Sequence, residues 1–195
     1  MILGDMKLNN FLDIIIKKSS WKTSILFAVL FAVSFTLINF SGIGVAGLLE
    51  ITNGANILDF EFGYTYEKAY DMLTALSAEG RVFYLTKILP MDFLFPLTYM
   101  FFYAGFMALF IKQTTQKKAY GFLLFIPVLA MLFDWIENIG IIALLKSYPN
   151  LPELAVLTAS ISGMLKFIFT VGSIGITGTL FILSVCLKFR KNKDL

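Results

Sequence analysis

Three polar side chains, Asp134, Glu137 and Asn138, stand inside an apolar run long enough to cross a membrane. Two carboxyls and an amide in such a place can exchange protons with a bound molecule or grip its polar head. Residues 134 and 138 are four apart, and 137 falls between them. A helix therefore gathers all three on one broad face. Counting back from the turn after that helix at ~1.5 Å per residue puts Glu137 ~16 Å and Asp134 ~20 Å deep. The same count from Glu153 puts Lys166 of the next helix ~20 Å deep, so the levels coincide.

A charge at the bilayer centre costs roughly 2.5–3.5 kcal/mol on insertion scales, so these groups should face the bundle interior, with Lys166 pairing Asp134 or Glu137. Arg81 and Asp92 offer a second pair nearer the surface. Carboxylates then outnumber nearby bases unless Lys87 turns inward, and one carboxyl is expected to be protonated. Asp134, the deeper acid, reads as the structural ion-pair member, which leaves Glu137 as the better candidate for chemistry, with Asp134 and Asp92 behind it. A ligand pocket would be lined by Arg81, Tyr84, Asp92, Tyr99, Asp134, Glu137, Asn138 and Lys166. Ser162 and Lys166, four apart, form a weaker candidate for a serine nucleophile with a lysine base.

Composition limits the chemistry further. Of 195 residues 58% are hydrophobic and 15% charged, with mean hydropathy +0.80, a balance belonging to helical membrane proteins. Histidine is absent, which excludes a His-ligated haem, a His-containing zinc site and any Ser-His or Cys-His pair. The single cysteine, Cys186, can form no intrachain disulfide. A net charge of +3 is too small to argue for nucleic acid, and the basic residues cluster at segment ends. No cofactor and no metal is expected.

The elements that must position the polar groups follow from the hydrophobic pattern. Lys7, Lys17, Lys18 and Lys22 surround Phe11, Leu12 and Ile14 to Ile16, which suits a short helix lying on the membrane surface. The charge-free run 23–41 predicts the first span, an uncleaved anchor rather than a signal peptide. Gly42, Gly44 and Gly47 match a dinucleotide fingerprint by letter, without its strand and acidic context, and are expected to loosen the chain as it leaves the bilayer. In the acidic stretch 50–80, Thr65 should cap an amphipathic helix with Tyr66, Tyr70, Leu73 and Leu76 on its apolar side, ended by Gly80. The second span, about 88–111 with a start reaching back toward Arg81, carries Pro90 and Pro96 and should be kinked or locally open. Tyr84, Ile88, Asp92, Phe95, Tyr99 and Tyr103 share one of its faces.

The third span is expected over 120–145 and the fourth from Glu153 to about Leu187. Ala159, Gly163, Gly172, Gly175 and Gly178 on the last helix permit close packing in lipid. Lysine and arginine gather before the first span, at Lys112, Lys117 and Lys118, and at Lys188, Arg190, Lys191 and Lys193. The positive-inside rule then places both termini in the cytoplasm.

The run from Asp59 to Tyr103, with Phe62-Gly63-Tyr64, Gly80-Arg81, Tyr84, Asp92, Phe95-Pro96 and Tyr99, together with Asp134, Glu137-Asn138 and Lys166, resembles a group of uncharacterised prokaryotic four-helix membrane proteins. That resemblance covers most of the chain and implies an architecture without an activity. Asp92, with the proline and aromatics that follow it, is also similar to the EXPERA family of sterol isomerase-like and sigma-2-receptor-like proteins. The family implies an extracytosolic segment between its first two helices and acids in an intramembrane pocket. Here the first helix carries no acid, and the histidine of the isomerases has no counterpart.

The expectation is an all-α integral membrane four-helix bundle, one domain over 1–195. Residues 1–22 form a cytoplasmic interfacial segment and 43–80 an extracytoplasmic one with its short amphipathic helix. Its partner would be a membrane lipid or amphiphile in a polar intramembrane pocket, with acid-base chemistry left open. A proton or solute pathway and a structural subunit with a register-fixing ion-pair network are the alternatives, and a homo-oligomer is compatible with all three.

Overall fold

The computed structural model describes residues 2–114 and 120–193, without the side chains of residues 2–9 and 191–193. Lys117 and Lys118, and the side chains of Lys7, Lys191 and Lys193, therefore lie outside the described residues. The chain is helical throughout its ordered elements: α1 (Ile2–Lys18), α2 (Trp21–Phe40), α3 (Val45–Ile51), α4 (Tyr66–Ala75), α5 (Ser77–Phe83), α6 (Leu89–Ile111), α7 (Phe125–Ser147) and α8 (Glu153–Lys193). Short 3-10 turns at Leu58–Phe60 and Gly121–Leu124 and a π-helical turn at Tyr84–Ile88 complete it. Among the described residues four helical stretches are long and apolar enough to cross a membrane, which fits an integral membrane helical bundle.

The most extensive interface joins α7 and α8, and α6 packs on both. Small residues set that spacing: a Cβ on Gly140 would lie 2.7 Å from the Ala159 Cβ, so the two backbones meet where neither side chain is large. α2 rests almost entirely on α6 through aromatic pairs such as Phe31–Phe102 and Phe27–Phe101, with ring centroids 4.9 and 5.2 Å apart. Its other faces, including Ile25, Val29 and Val33, are exposed. Apolar surface of that extent belongs against lipid.

The kink or local opening expected from the two prolines takes the form of an opening. Pro90 follows the π-helical turn, where the Leu89 N–H reaches back five residues to Tyr84 O, and sits in the first turn of α6, where a missing N–H is tolerated. Pro96 stands inside α6 and leaves the Asp92 carbonyl without its helical donor.

Two local expectations are corrected. Gly44 and Gly47 tighten the chain instead of loosening it: a Cβ on Gly44 would lie 2.6 Å from Leu37 O, and one on Gly47 would meet the Gly42 backbone, while one on Gly42 would meet open space. Thr65 does cap α4, its hydroxyl accepting the Lys68 N–H at 3.3 Å, but Ala69 and Leu73, with Leu76 just beyond, form its buried side, and Tyr66 and Tyr70 are exposed. The helix ends at Ala75, and the φ of 60° at Ser77 separates it from α5. Gly80 lies inside α5, against Thr52, and α5 runs on into the second span.

Candidate functional site

Asp92 projects inward from α6 because Tyr84, Ile88, Asp92, Tyr99 and, half-buried, Phe95 and Tyr103 follow the helical repeat of one buried face. Asp134, Glu137 and Asn138 are buried on the facing side of α7, and Lys166 comes from α8. The Lys166 ammonium lies 2.5 Å from Glu137 Oε2, 3.7 Å from Asp59 Oδ1 and 4.0 Å from Asp134 Oδ1. Tyr99 donates its hydroxyl to Asp134 Oδ2 at 3.1 Å. One ammonium thus faces three carboxyl groups, with a fourth, Asp92, beside them.

Asp59 is the site residue that sequence spacing did not find. It belongs to the short turn Leu58–Phe60, between the first two spans, whose neighbours Ile57 and Leu58 are buried in the core. That anchoring turns Asp59 inward, where its carboxylate accepts a hydrogen bond from the fully buried Tyr84 hydroxyl. A signal was present in Ile57-Leu58-Asp59-Phe60, an acid embedded in the most apolar part of an otherwise acidic stretch.

These groups floor a cavity of about 300 Å³ touched by Asp59, Asp92, Asp134, Lys166 and Tyr99. Its walls are aromatic, with Phe31 and Phe35 of α2, Phe95 of α6 and Phe167 of α8. One end is therefore charged and hydrogen bonding, and the rest is apolar. Carboxyl oxygens of Asp59, Asp92 and Asp134 lie within 4.8 Å of one another, a spacing a cation would also accept. The Lys166 ammonium already stands beside two of them.

The other residues expected at the site fall in different places. Glu137 is fully buried, paired to Lys166 and away from the cavity. The pairing is thus the reverse of that expected from depth: Glu137 holds the close ion pair, and Asp134 holds the longer contact and faces the cavity. Asn138 is also fully buried, its amide donating to Asp92 O at 3.1 Å and to Asp134 Oδ1 at 3.4 Å. Tyr84 acts on Asp59 and does not reach the cavity.

Arg81 is not brought to Asp92. Its guanidinium donates to Leu73 O at 2.7 Å and stacks 3.9 Å above the Tyr148 ring. Lys87 is exposed, so neither base offsets the buried acids. Ser162 is buried, but Lys166 is directed at carboxylates, and no hydrogen bond joins the two among the described residues. Tyr64 lies behind Glu137, its N–H donating to Ser160 Oγ at 2.8 Å, while its buried hydroxyl has no partner among the described residues. Burial, reinforced by the Glu137 carboxylate, pushes that phenol well above its ordinary range.

Comparison of the chain with protein-family models, with curated proteins and with solved structures returns no match.

Proposed function

We propose that this chain is a multi-pass membrane protein that holds a lipid or other small amphiphile in the cavity between α2, α6, α7 and α8. The observation carrying this reading is one cavity with an aromatic wall and an acidic floor, apolar along Phe31, Phe35, Phe95 and Phe167 and polar at Asp59, Asp92, Asp134 and Lys166. An amphiphile's tail matches the wall. Its head would meet more acceptors than donors, which favours a hydroxyl or amine head over an anionic one. If a proton is exchanged with the ligand, Asp92 and Asp134 are the groups placed to do it, because Glu137 has no surface on the cavity.

The membrane proposed is the bacterial cytoplasmic membrane, with both termini inside. Lys17, Lys18, Lys22 and Lys112 gather at the start of α2 and the end of α6, and Lys188 and Arg190 near the end of α8. The segment 43–80 then lies outside, with α4 as its amphipathic helix and Asp59 dipping back into the bundle. α1 would lie at the inner interface. In this arrangement Asp59 supplies the acid that the first span lacks relative to the EXPERA pattern.

A second reading, a network that fixes helix register, is favoured for Glu137 and Lys166 by their burial and close pairing. Native mass spectrometry of the purified chain with Asp92→Asn and Asp134→Asn, beside thermal stability in detergent, separates the two. Folded variants that lose a co-purifying amphiphile are the expected result. Retention of no amphiphile by the unaltered chain, together with collapse of both variants, would leave the structural reading. Proteoliposomes are expected to show no pH-driven flux, which would remove the proton or solute pathway.

A further inference from the structure

A second cavity, of about 400 Å³, lies at the opposite end of α2 from the acidic site. It runs between α1, α2, α6 and the start of α7 and is almost wholly apolar. Phe11 and Ile15 of α1, Phe27 of α2, and Phe101, Ala104 and Gly105 of α6 form it. Gly105 keeps the floor low, since a Cβ there would lie 2.9 Å from the Phe27 ring. Leu12 and Ile16 pin α1 to the bundle, and the Lys112 ammonium donates to Lys17 O and Ser19 O at 2.9 Å each. Those contacts leave the Phe11–Ile15–Lys18 stripe of α1 facing the groove.

The mouth has a different character. Lys18, Ser19, Ser20 and Thr23 line it, and the Lys112 ammonium on Ser19 O stands beside them, whereas Lys17 and Lys22 do not line the cavity. Lys18 and Lys112 are exposed, and neither meets a carboxylate among the described residues. Asp13, the nearest acid of α1 with a described side chain, does not line the cavity. Ser20 caps α2 by accepting the Thr23 N–H, which leaves the Trp21 and Lys22 N–H groups at the helix start outside intrahelical bonding. The apolar groove therefore ends at two lysines, Lys18 and Lys112, that meet no carboxylate among the described residues.

We propose that this groove is a binding site for an anionic diacyl phospholipid, with one acyl chain along Phe11, Phe27 and Phe101 and the phosphate at the mouth beside Lys18 and Lys112. Charge complementarity selects the occupant. A neutral lipid or detergent would fill the groove equally well but leave the lysines unmatched, whereas an anionic head group gains about five-fold in retention per lysine near it. The site is independent of the acidic cavity, which has the opposite charge.

The test is native mass spectrometry of the full chain released from nanodiscs of equimolar phosphatidylglycerol and phosphatidylcholine. At least one phosphatidylglycerol should be retained in preference to phosphatidylcholine, by five-fold or more. The Lys18→Gln variant changes one exposed side chain, so it should stay folded and lower the ratio about five-fold. Ala104→Phe, which fills the groove, should remove the bound lipid, and the lysine variant decides the matter if Ala104→Phe does not fold. Equal retention of the two lipids by the unaltered chain, no retention of either, or a preference unmoved by Lys18→Gln would overturn the proposal.

Discussion

Asn138 of α7 donates its side-chain amide to the backbone carbonyl of Asp92 in α6, at 3.1 Å. Pro96 leaves that carbonyl without a helical donor, since its ring nitrogen carries no hydrogen. One amide thus repairs the helix break and fixes the height of Asp92 against Asp134, to which the same nitrogen also donates. In lipid a freed carbonyl has no water to turn to, so the repair must come from a neighbouring helix.

Asn138→Ala should therefore destabilise the chain by about 1–3 kcal/mol, the cost of leaving a buried acceptor unpaired. In a Pro96→Ala background the helix regains its own N–H, and the same Asn138→Ala change should cost clearly less. Unfolding of the four proteins in detergent measures that coupling. Equal costs in both backgrounds would mean that Asn138 acts on something other than the freed carbonyl.

Lys166 is the cation that the acidic cluster shares, with Glu137 as its close partner. Lys166→Met should cost about 3–5 kcal/mol, because it strands buried carboxylates, whereas Glu137→Gln leaves Asp59 and Asp134 to hold the ammonium and should cost less. Thermal unfolding in detergent ranks the two. The opposite ranking would show that the ammonium is held mainly by Glu137 and that the two aspartates contribute little.

Gly163 faces the Glu137 carboxylate so closely that a Cβ there would lie 3.0 Å from Glu137 Cδ, while Gly175 on the same helix faces open space. Gly163→Ala must displace the Glu137 carboxylate, the close partner of Lys166, and should destabilise by about 1–3 kcal/mol. Gly175→Ala should be neutral or gain up to ~1 kcal/mol from helix propensity. If both substitutions are neutral in unfolding measurements, the α7–α8 crossing is looser than this contact implies.

The spans, their order and the inward face of α6 were legible in the sequence because apolar length and the 3.6-residue repeat report directly on burial. So was the matching depth of Asp134, Glu137 and Lys166, which needs only the helical rise. Two things were not. Asp59 reaches the site through an irregular turn held by Ile57 and Leu58, and such a turn has no repeat to read. The division of labour between Asp134 and Glu137 depends on helix rotation and on the space that Gly163 leaves, neither of which depth determines. Arg81 went astray for a related reason: the break at Ser77 and the π-helical turn that follows α5 accompany its turn toward Tyr148.

Tyr64 carries the last expectation. Its hydroxyl is buried beside Glu137 without a partner among the described residues, so removing it takes away a desolvated group and breaks no bond. Tyr64→Phe should be neutral or stabilising by about 1 kcal/mol at pH 7. The folded chain holds the phenolic proton more tightly than the unfolded chain does, so this residue's effect on stability is constant below the unfolded value near ~10 and turns unfavourable as pH rises past it. The unaltered chain should therefore lose stability between about pH 10 and 11 faster than Tyr64→Phe does. Unfolding midpoints in detergent across that range test it, and parallel pH curves would show that the Tyr64 hydroxyl reaches water in the folded chain.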